Sequence, residues 1–222
     1  IARWRPSGGA ENANAQLFLS ELCELLGVER PEPARPEVNE NAYTFERDVF
    51  FPNPDGSTSS GRIDLYKRGC FVCESKQAVD SHRRAPALLP KKGRSKKGMA
   101  VRGAAAWYGA MAEARGQAES YVRALPPEEG RPPMVMVVDV GYCIELFAEF
   151  TRTGGAYIPF PDPNGYRILL QDLEREDIRR RLRAVWRDPL SLDPSRRSAR
   201  VTREIADRLA RLARSLETGG NQ

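Results

Sequence analysis

Apolar residues along this 222-residue chain follow a helical spacing in some stretches and a strand-like spacing in others. Leucines at helical spacing predict a first helix, which Gly27 ends because glycine readily adopts the left-handed conformation of a helix C-terminus. Three strands separated by turn sequences should follow, then a second helix and three further strands. The predicted elements are helix 11–26, strands 43–51, 60–67 and 70–77, helix 104–125, and strands 134–140, 142–150 and 167–170.

Two more helices are predicted near the C-terminus, over 174–186 and 198–216. The last one is rich in arginine and carries a single apolar stripe. Its apolar residues are Val201, Ile205, Leu209, Leu212 and Leu216. Because one helix cannot bury such a stripe by itself, we expect it to pack on a neighbouring domain. We therefore predict a first domain over residues 1–172, followed by a separate helical segment over 173–222.

The order of elements predicts an α/β fold with a helix, a three-stranded antiparallel meander, a second helix, further strands and C-terminal helices. The turn at 68–70 sets the register of the second and third strands and places Asp64 directly across from Glu74. Directly opposed residues share a face of the sheet. The charged face would hold Arg62, Asp64, Glu74 and Lys76, and the apolar face would hold Ile63, Leu65, Phe71 and Cys73.

The opposed pair Asp64 and Glu74 indicates metal chemistry. Like charges about 5 Å apart across a ladder are destabilising, and a divalent cation between them removes that repulsion. Two carboxylates with the backbone carbonyl of Ser75 suit a hard cation such as Mg²⁺. Lys76 points to the same face and can hold or deprotonate the attacking water and offset charge in the transition state. These groups are the ones that phosphodiester hydrolysis needs, although an exposed charged strand face with ordinary pairing of Asp64 with Lys76 is the alternative.

The pattern Asp64, nine residues, Glu74, one residue, Lys76 spans two adjacent strands between two helices. It resembles the PD-(D/E)xK nuclease superfamily, in the segments 61–64 and 73–77, although the proline of the superfamily's name is absent. The resemblance implies a restriction-endonuclease-like core that cuts double-stranded DNA with Mg²⁺, for which Mn²⁺ can substitute. Asp64, Glu74 and Lys76 correspond to the superfamily's catalytic residues.

Two further segments extend this resemblance. Gln117 and Tyr121 share a helix face and look like the QxxxY element of some members, so Gln117 is expected to contact a phosphate or the water at the metal. A surface glutamine above a half-buried tyrosine is the alternative. Glu11 opens a segment, 11–18, that resembles the N-terminal nuclease domain of MmeI-like restriction–modification enzymes. Glu11 is therefore a candidate metal ligand, and otherwise an acidic residue that stabilises a helix start.

The MmeI resemblance implies partner domains in the same natural chain. In such enzymes a helical connector, an adenine methyltransferase that uses S-adenosylmethionine and a target-recognition domain follow the nuclease domain. By this resemblance residues 173–222 would correspond to the helical connector segment. No methyltransferase motif occurs here, and the first residue is Ile1 rather than Met, so we expect the sequence to be part of a longer protein. Two alternatives stay open: a stand-alone QxxxY-type repair or recombination nuclease, and a catalytically silent nuclease fold that binds DNA or protein.

The net charge of +5 and the pI of about 9.2 come from one basic segment. Residues 81–103 contain eight Lys and Arg residues and no acidic residue, a pattern expected for phosphate contacts, or otherwise for a solvated loop. The residues expected to bind DNA are Arg62, Tyr121, Arg83, Arg84, Lys91, Lys92, Arg94, Lys96 and Lys97.

The cysteines and the single histidine argue against a zinc site and against a nuclease built on several histidines. Cys70 and Cys73 form a CxxC, but both fall in a predicted strand, where residues three apart point to opposite faces and cannot share a zinc ion. The lone His82 disfavours nucleases built on several histidines. Without a membrane span or a signal peptide, we expect reduced cysteines and a location in the bacterial cytoplasm.

Overall fold

The computed structural model describes Trp4 and residues 11–78 and 100–219, without the side chains of 11–13, 197, 200, 213 and 215–219. The described helices are α1 (Glu11–Leu26), α2 (Ala105–Ala124), α3 (Glu176–Arg187) and α4 (Pro194–Gly219). The described strands are β1 (Tyr43–Pro52), β2 (Thr58–Lys67), β3 (Phe71–Lys76), β4 (Met134–Asp139), β5 (Cys143–Ala148), β6 (Ile158–Pro159) and β7 (Arg167–Leu169). The predicted helices and strands are all confirmed to within a few residues, and the two-residue strand β6 was not predicted.

One sheet holds all seven of these strands. Strands β1 to β6 lie side by side in chain order, and β7 pairs with β5. The meander β1–β2–β3 is antiparallel, as predicted, and β3 pairs in parallel with β4 because α2 connects the two strands. Gly69 adopts a φ of 70° in the turn between β2 and β3, and Lys67 lies opposite Phe71 as the predicted register requires.

Each face of the sheet carries its own hydrophobic core, and we name the two cores after the helices that cover them. The α1/α3 core includes Phe18, Leu22, Leu65, Phe71, Cys73, Met136, Leu182 and Trp186. The α2 core includes Val49, Ile63, Tyr66, Val72, Trp107, Met111, Tyr121 and Val137. Because α3 is part of the first core, it packs on the sheet directly, and the domain boundary at 172/173 stays a prediction.

The β1–β2 hairpin bends at Glu46 and Asp64. Glu46 has a φ of 53°, in the left-handed region that non-glycine residues seldom adopt, and the β1–β2 ladder omits the pair that Glu46 and Asp64 would form. On one side of the bend Leu65 packs in the α1/α3 core, and on the other Ile63 packs in the α2 core. The prediction that Ile63 and Leu65 share a face is therefore wrong, because the bend turns the strand over.

The buried carboxylate of Asp139, at the end of β4, binds residues that precede and follow the segment 79–99. It accepts hydrogen bonds from the backbone N of Ala78 at 3.2 Å, from Arg102 Nε at 3.0 Å and from Trp107 Nε1 at 2.9 Å. Arg102 therefore belongs to an internal ion pair rather than to a phosphate-contacting surface. The other basic residues of that segment lie outside the described residues.

Helix α4 presents its apolar stripe to solvent. Val201, Ile205, Leu209 and Leu212 are each between 51% and 61% exposed, and the side chain of Leu216 lies outside the described residues. The stripe itself is confirmed, whereas its packing on a neighbouring domain stays a prediction. None of the helices in the described part of the chain combines the length and apolar character that a bilayer span requires.

Candidate metal and catalytic site

The site lies where β2 separates from β3. The β2–β3 ladder ends at the pair Leu65–Cys73. Asp64 immediately precedes Leu65 in β2 and lies just beyond this last pair. Its Oδ2 accepts two hydrogen bonds from Ser75, one from the backbone N at 2.7 Å and one from Oγ at 2.5 Å. Asp64 is thus held against β3 by its side chain where the backbone pairing has stopped.

Glu74 is the most unusual group of the site. The residue is only 1% exposed, and its Oε1 has no hydrogen-bond partner among the described residues. Burial, and then the charge of Asp64, raises the pKa of Glu74 to about 8, while Lys76 and a backbone hydrogen bond from Asp64 act in the opposite direction. A buried carboxylate oxygen without a partner is costly, and the alternative of an exposed strand face does not describe Glu74, which is buried.

Lys76 and Glu46 complete the charged surroundings of Glu74. Lys76 is half-buried at the end of β3, two residues after Glu74, so the two side chains leave the strand on the same face. Glu46 lies across from Asp64 at the bend, and its charge also raises the pKa of Glu74. Sequence reasoning missed Glu46, because nothing in the local sequence signals its left-handed backbone.

The residues described supply a pair of carboxylates rather than a larger ligand set. Among them, no group of three or more His, Cys, Asp or Glu side chains is placed to hold a metal ion. Asp64 and Glu74 still fit a hard divalent cation, since both are carboxylates and Glu74 Oε1 is buried without a partner.

Arg62 does not stand across from Lys76, so that prediction is wrong. The β2–β3 ladder has ended before it, and Arg62 instead pairs with Asp48 at 3.1 Å and Glu46 at 3.7 Å. Its side chain is 60% exposed and so remains accessible beside Asp64. Its role in DNA binding stays a prediction.

Gln117 and Tyr121 form a linked pair on α2. Gln117 Nε2 donates a hydrogen bond to the Tyr121 hydroxyl at 2.7 Å, and Tyr121 is buried in the α2 core while Gln117 is exposed. The Tyr121 ring lies against Gly61, three residues before Asp64. The shared helix face is confirmed, and contacts of Gln117 with a phosphate and of Tyr121 with DNA stay predictions.

Gly61→Ala is expected to destabilise the protein by about 1–3 kcal/mol, the usual cost of overpacking a filled site. A Cβ at Gly61 would lie 2.5 Å from Tyr121 Cε1 and 3.1 Å from Phe51 Cε2, so both rings would have to move. Urea unfolding measures the change. Gly116→Ala on α2, where a Cβ meets nothing within 4 Å, is the control and should be neutral or stabilising. Equal effects of the two substitutions would contradict the close packing at Gly61.

Two sequence predictions concern side chains outside the described residues, and a third is wrong. Glu11 begins α1, and the bond from Asn14 Nδ2 to Gln77 Oε1 at 3.2 Å places this end of α1 beside the end of β3, but the side chain of Glu11 lies outside the described residues. The basic residues between 83 and 97 also lie outside them. Cys70 and Cys73 were expected on opposite faces, which is wrong: both pack in the α1/α3 core, because Cys70 lies in the turn before β3.

The two thiols nevertheless have separate environments. Cys70 Sγ donates to the carbonyl of Trp186 and Cys73 Sγ to the carbonyl of Glu74. Burial raises the pKa of both thiols, which disfavours the thiolates that bind zinc.

The comparisons with known proteins identify the family. The family model described as "MmeI, N-terminal domain" matches residues 1–219. Comparison with curated proteins and with solved structures gave no match. The match extends from the first residue through α4 and includes the bend, Asp64, Glu74 and Lys76. The chain therefore belongs to the family of MmeI N-terminal domains.

Proposed function

We propose that this chain is a divalent-metal-dependent endodeoxyribonuclease domain, the cutting module of a restriction–modification protein. One observation carries the proposal: Glu74 is buried with an oxygen that has no hydrogen-bond partner among the described residues, beside the second carboxylate of Asp64. A cation between these groups would offset both the burial cost and the repulsion. The family match supports a nuclease of restriction enzymes as the setting for that cation.

Each residue of the site has a distinct task in this proposal. Asp64, Glu74 and the backbone carbonyl of Ser75 would hold Mg²⁺ or Mn²⁺, which supplies a Lewis acid at the scissile phosphate and lowers the pKa of the attacking water. Lys76 would orient that water and offset the negative charge that develops on the phosphate oxygens. Glu74 would have to release its proton before the cation is held, because its pKa of about 8 leaves it largely protonated at neutral pH.

The basic segment would contact the phosphate backbone of double-stranded DNA. The positions of Ala78 and Arg102, which flank the basic segment, support this proposal. Ala78 follows Lys76 by two residues, and Arg102 returns to Asp139, which is the β4 partner of Lys76. The chain therefore leaves and re-enters the fold beside the catalytic lysine, where DNA must lie to be cut.

The rest of the natural protein would supply sequence recognition and methylation. We propose that a methyltransferase that uses S-adenosylmethionine and a target-recognition domain follow in the same cytoplasmic chain, and that the exposed stripe of α4 packs on them. The family match supports this arrangement over a stand-alone repair nuclease. A catalytically silent fold would have no use for a buried Glu74 with an unpartnered oxygen beside Asp64 and Lys76.

Nicking of supercoiled plasmid tests the proposal. The chain is incubated with Mg²⁺, Mn²⁺ or EDTA, and compared with Asp64→Asn and with the control Asp207→Asn on the exposed helix α4. We expect nicking that requires the metal, persists in Asp207→Asn and is lost in Asp64→Asn. Nicking that survives in Asp64→Asn would place the active site elsewhere, and the absence of nicking with either metal would contradict the proposal for this chain.

A further inference from the structure

Ser75 occupies the variable position of the Glu-x-Lys motif, between the two residues to which the proposed function gives chemical tasks. Its side chain is buried, at 3% exposure, and both of its donors are directed at one atom. The backbone N and the Oγ of Ser75 donate to Asp64 Oδ2 at 2.7 Å and 2.5 Å. Both contacts join β3 to β2 beyond the last pair of their ladder.

This double contact distinguishes the two oxygens of the Asp64 carboxylate. Oδ2 is engaged by Ser75, and Oδ1 makes no hydrogen bond within the part of the chain that the structure describes. A carboxylate held at one oxygen cannot rotate freely about its Cβ–Cγ bond, so the direction of the other oxygen is fixed. Fixing a ligand oxygen before the metal arrives lowers the entropy that is lost on binding.

The bend of the hairpin explains why this contact matters for Asp64 in particular. On the β1 side Asp64 has lost its ladder partner, because Glu46 adopts a left-handed backbone. On the β3 side the last ladder pair is formed by Leu65, the residue that follows Asp64 in the chain. With no ladder pairing at this residue on either side, the bonds from Ser75 are what anchors its carboxylate.

We infer that the Ser75 hydroxyl is a positioning group for the metal site, which orients Asp64 so that its Oδ1 is presented to the divalent cation. The inference rests on the proposed function, because it assigns Asp64 to the metal. The proposed function uses only the backbone carbonyl of Ser75, and this inference adds a role for its side chain. The hydroxyl acts through Asp64 and does not itself touch the metal or the DNA.

Mn²⁺ binding to the metal-free chain, followed by calorimetry or by the electron paramagnetic resonance signal of free Mn²⁺, tests the inference without any cleavage assay. Ser75→Ala removes the hydroxyl and keeps the backbone N–H, and it is expected to weaken Mn²⁺ binding about tenfold, at the low end for loss of a group that orients a ligand. Ser75→Thr, which keeps a hydroxyl, is expected to stay within about threefold of the wild type, since the contact that carries the effect is retained.

Val138→Ala is the matched control for a loss of packing at the same place. Val138 is the β4 partner of Ser75 and is fully buried, but it belongs to the α1/α3 core and not to the hydrogen bonds of Asp64. We expect it to lower the thermal midpoint while leaving Mn²⁺ binding within about twofold, because its cost lies in the cavity.

Two results would overturn the inference: unchanged Mn²⁺ binding in Ser75→Ala, or equal weakening in Ser75→Ala and Val138→Ala. Asp64→Asn separates this failure from that of the proposed function. If Asp64→Asn weakens binding and Ser75→Ala does not, the metal site stands and only the role of Ser75 falls. If the wild type does not bind Mn²⁺, or binds it equally well in Asp64→Asn, the proposed metal site and the inference fall together.

Discussion

Lys76→Met is expected to lower metal-dependent plasmid nicking by about a thousandfold while the chain still binds Mn²⁺. Removing a group that stabilises transition-state charge or moves a proton costs about 10²–10⁴ in rate. Methionine keeps most of the unbranched stem of the half-buried lysine, so packing at the end of β3 should change little. Because Lys76 lowers the pKa of Glu74, its loss favours the protonated form of Glu74, and Mn²⁺ binding is therefore best compared above pH 8.

Lys67→Met is the matched control for this substitution. Lys67 lies at the other end of the same hairpin, and its Nζ contacts the Tyr43 ring and Glu29 rather than Glu74. We expect nicking by Lys67→Met within about threefold of the wild type, because this contact is remote from the phosphate. If nicking by Lys76→Met stayed near the wild-type rate, Lys76 would have no catalytic role, and the motif would serve metal binding alone.

Glu74→Gln is expected to stabilise the metal-free protein at pH 8.5 and to change its stability little at pH 5. The folded-state pKa of Glu74, about 8, lies above its ordinary value of 4.5. Folding therefore gains from the protonated carboxyl below pH 4.5, and this gain is lost as the pH rises through 8. The difference of about 3.5 between the two pKa values corresponds to about 5 kcal/mol across this window, at about 1.4 kcal/mol for each unit. Glutamine does not titrate, so its variant keeps the stability that the wild type loses.

Urea unfolding in EDTA at pH 5 and pH 8.5 measures this effect. Glu128→Gln, on an exposed glutamate, is the control and should show the same small difference at both pH values. Mn²⁺ should reverse the order at pH 8.5, because the cation stabilises the ionised Glu74 and not its amide. A benefit of Glu74→Gln that is as large at pH 5 as at pH 8.5 would show that the buried charge is not the cause.

The order of elements could be predicted because it depends on local signals. Gly69 at the turn fixed the register in which Lys67 faces Phe71. The ladder stops at Leu65 and Cys73, so the predicted pairing of Asp64 directly across from Glu74 is not part of it. The apolar run of β4 indicated a strand buried on both faces, and every residue of that strand is buried. Each of these inferences needs only neighbours in sequence or one tight turn.

The environment of the site could not be predicted, because contacts distant in sequence determine it. Ile63 packs toward α2 beyond the bend at Glu46, and the β2–β3 ladder ends at Leu65, so that Arg62 has no ladder partner on β3. Simple alternation along a strand gives no warning of such a bend. The burial of Glu74 depends in turn on how β4 and α2 pack around β3, and neither is visible in the Glu-x-Lys motif itself.

The carboxylate of Asp139 has a consequence for how this domain can change over evolution. Ala78 and Arg102 meet on one side chain, so the chain between them leaves and returns at nearly one point of the fold. Lengthening such a connection costs only its closure entropy, about 0.6 kcal/mol for each doubling of length. Strands β2 and β3 need not move to accommodate an insertion or a deletion there. This position is therefore one where members of the family can gain, lose or exchange a segment while the surroundings of Asp64 and Glu74 are left intact.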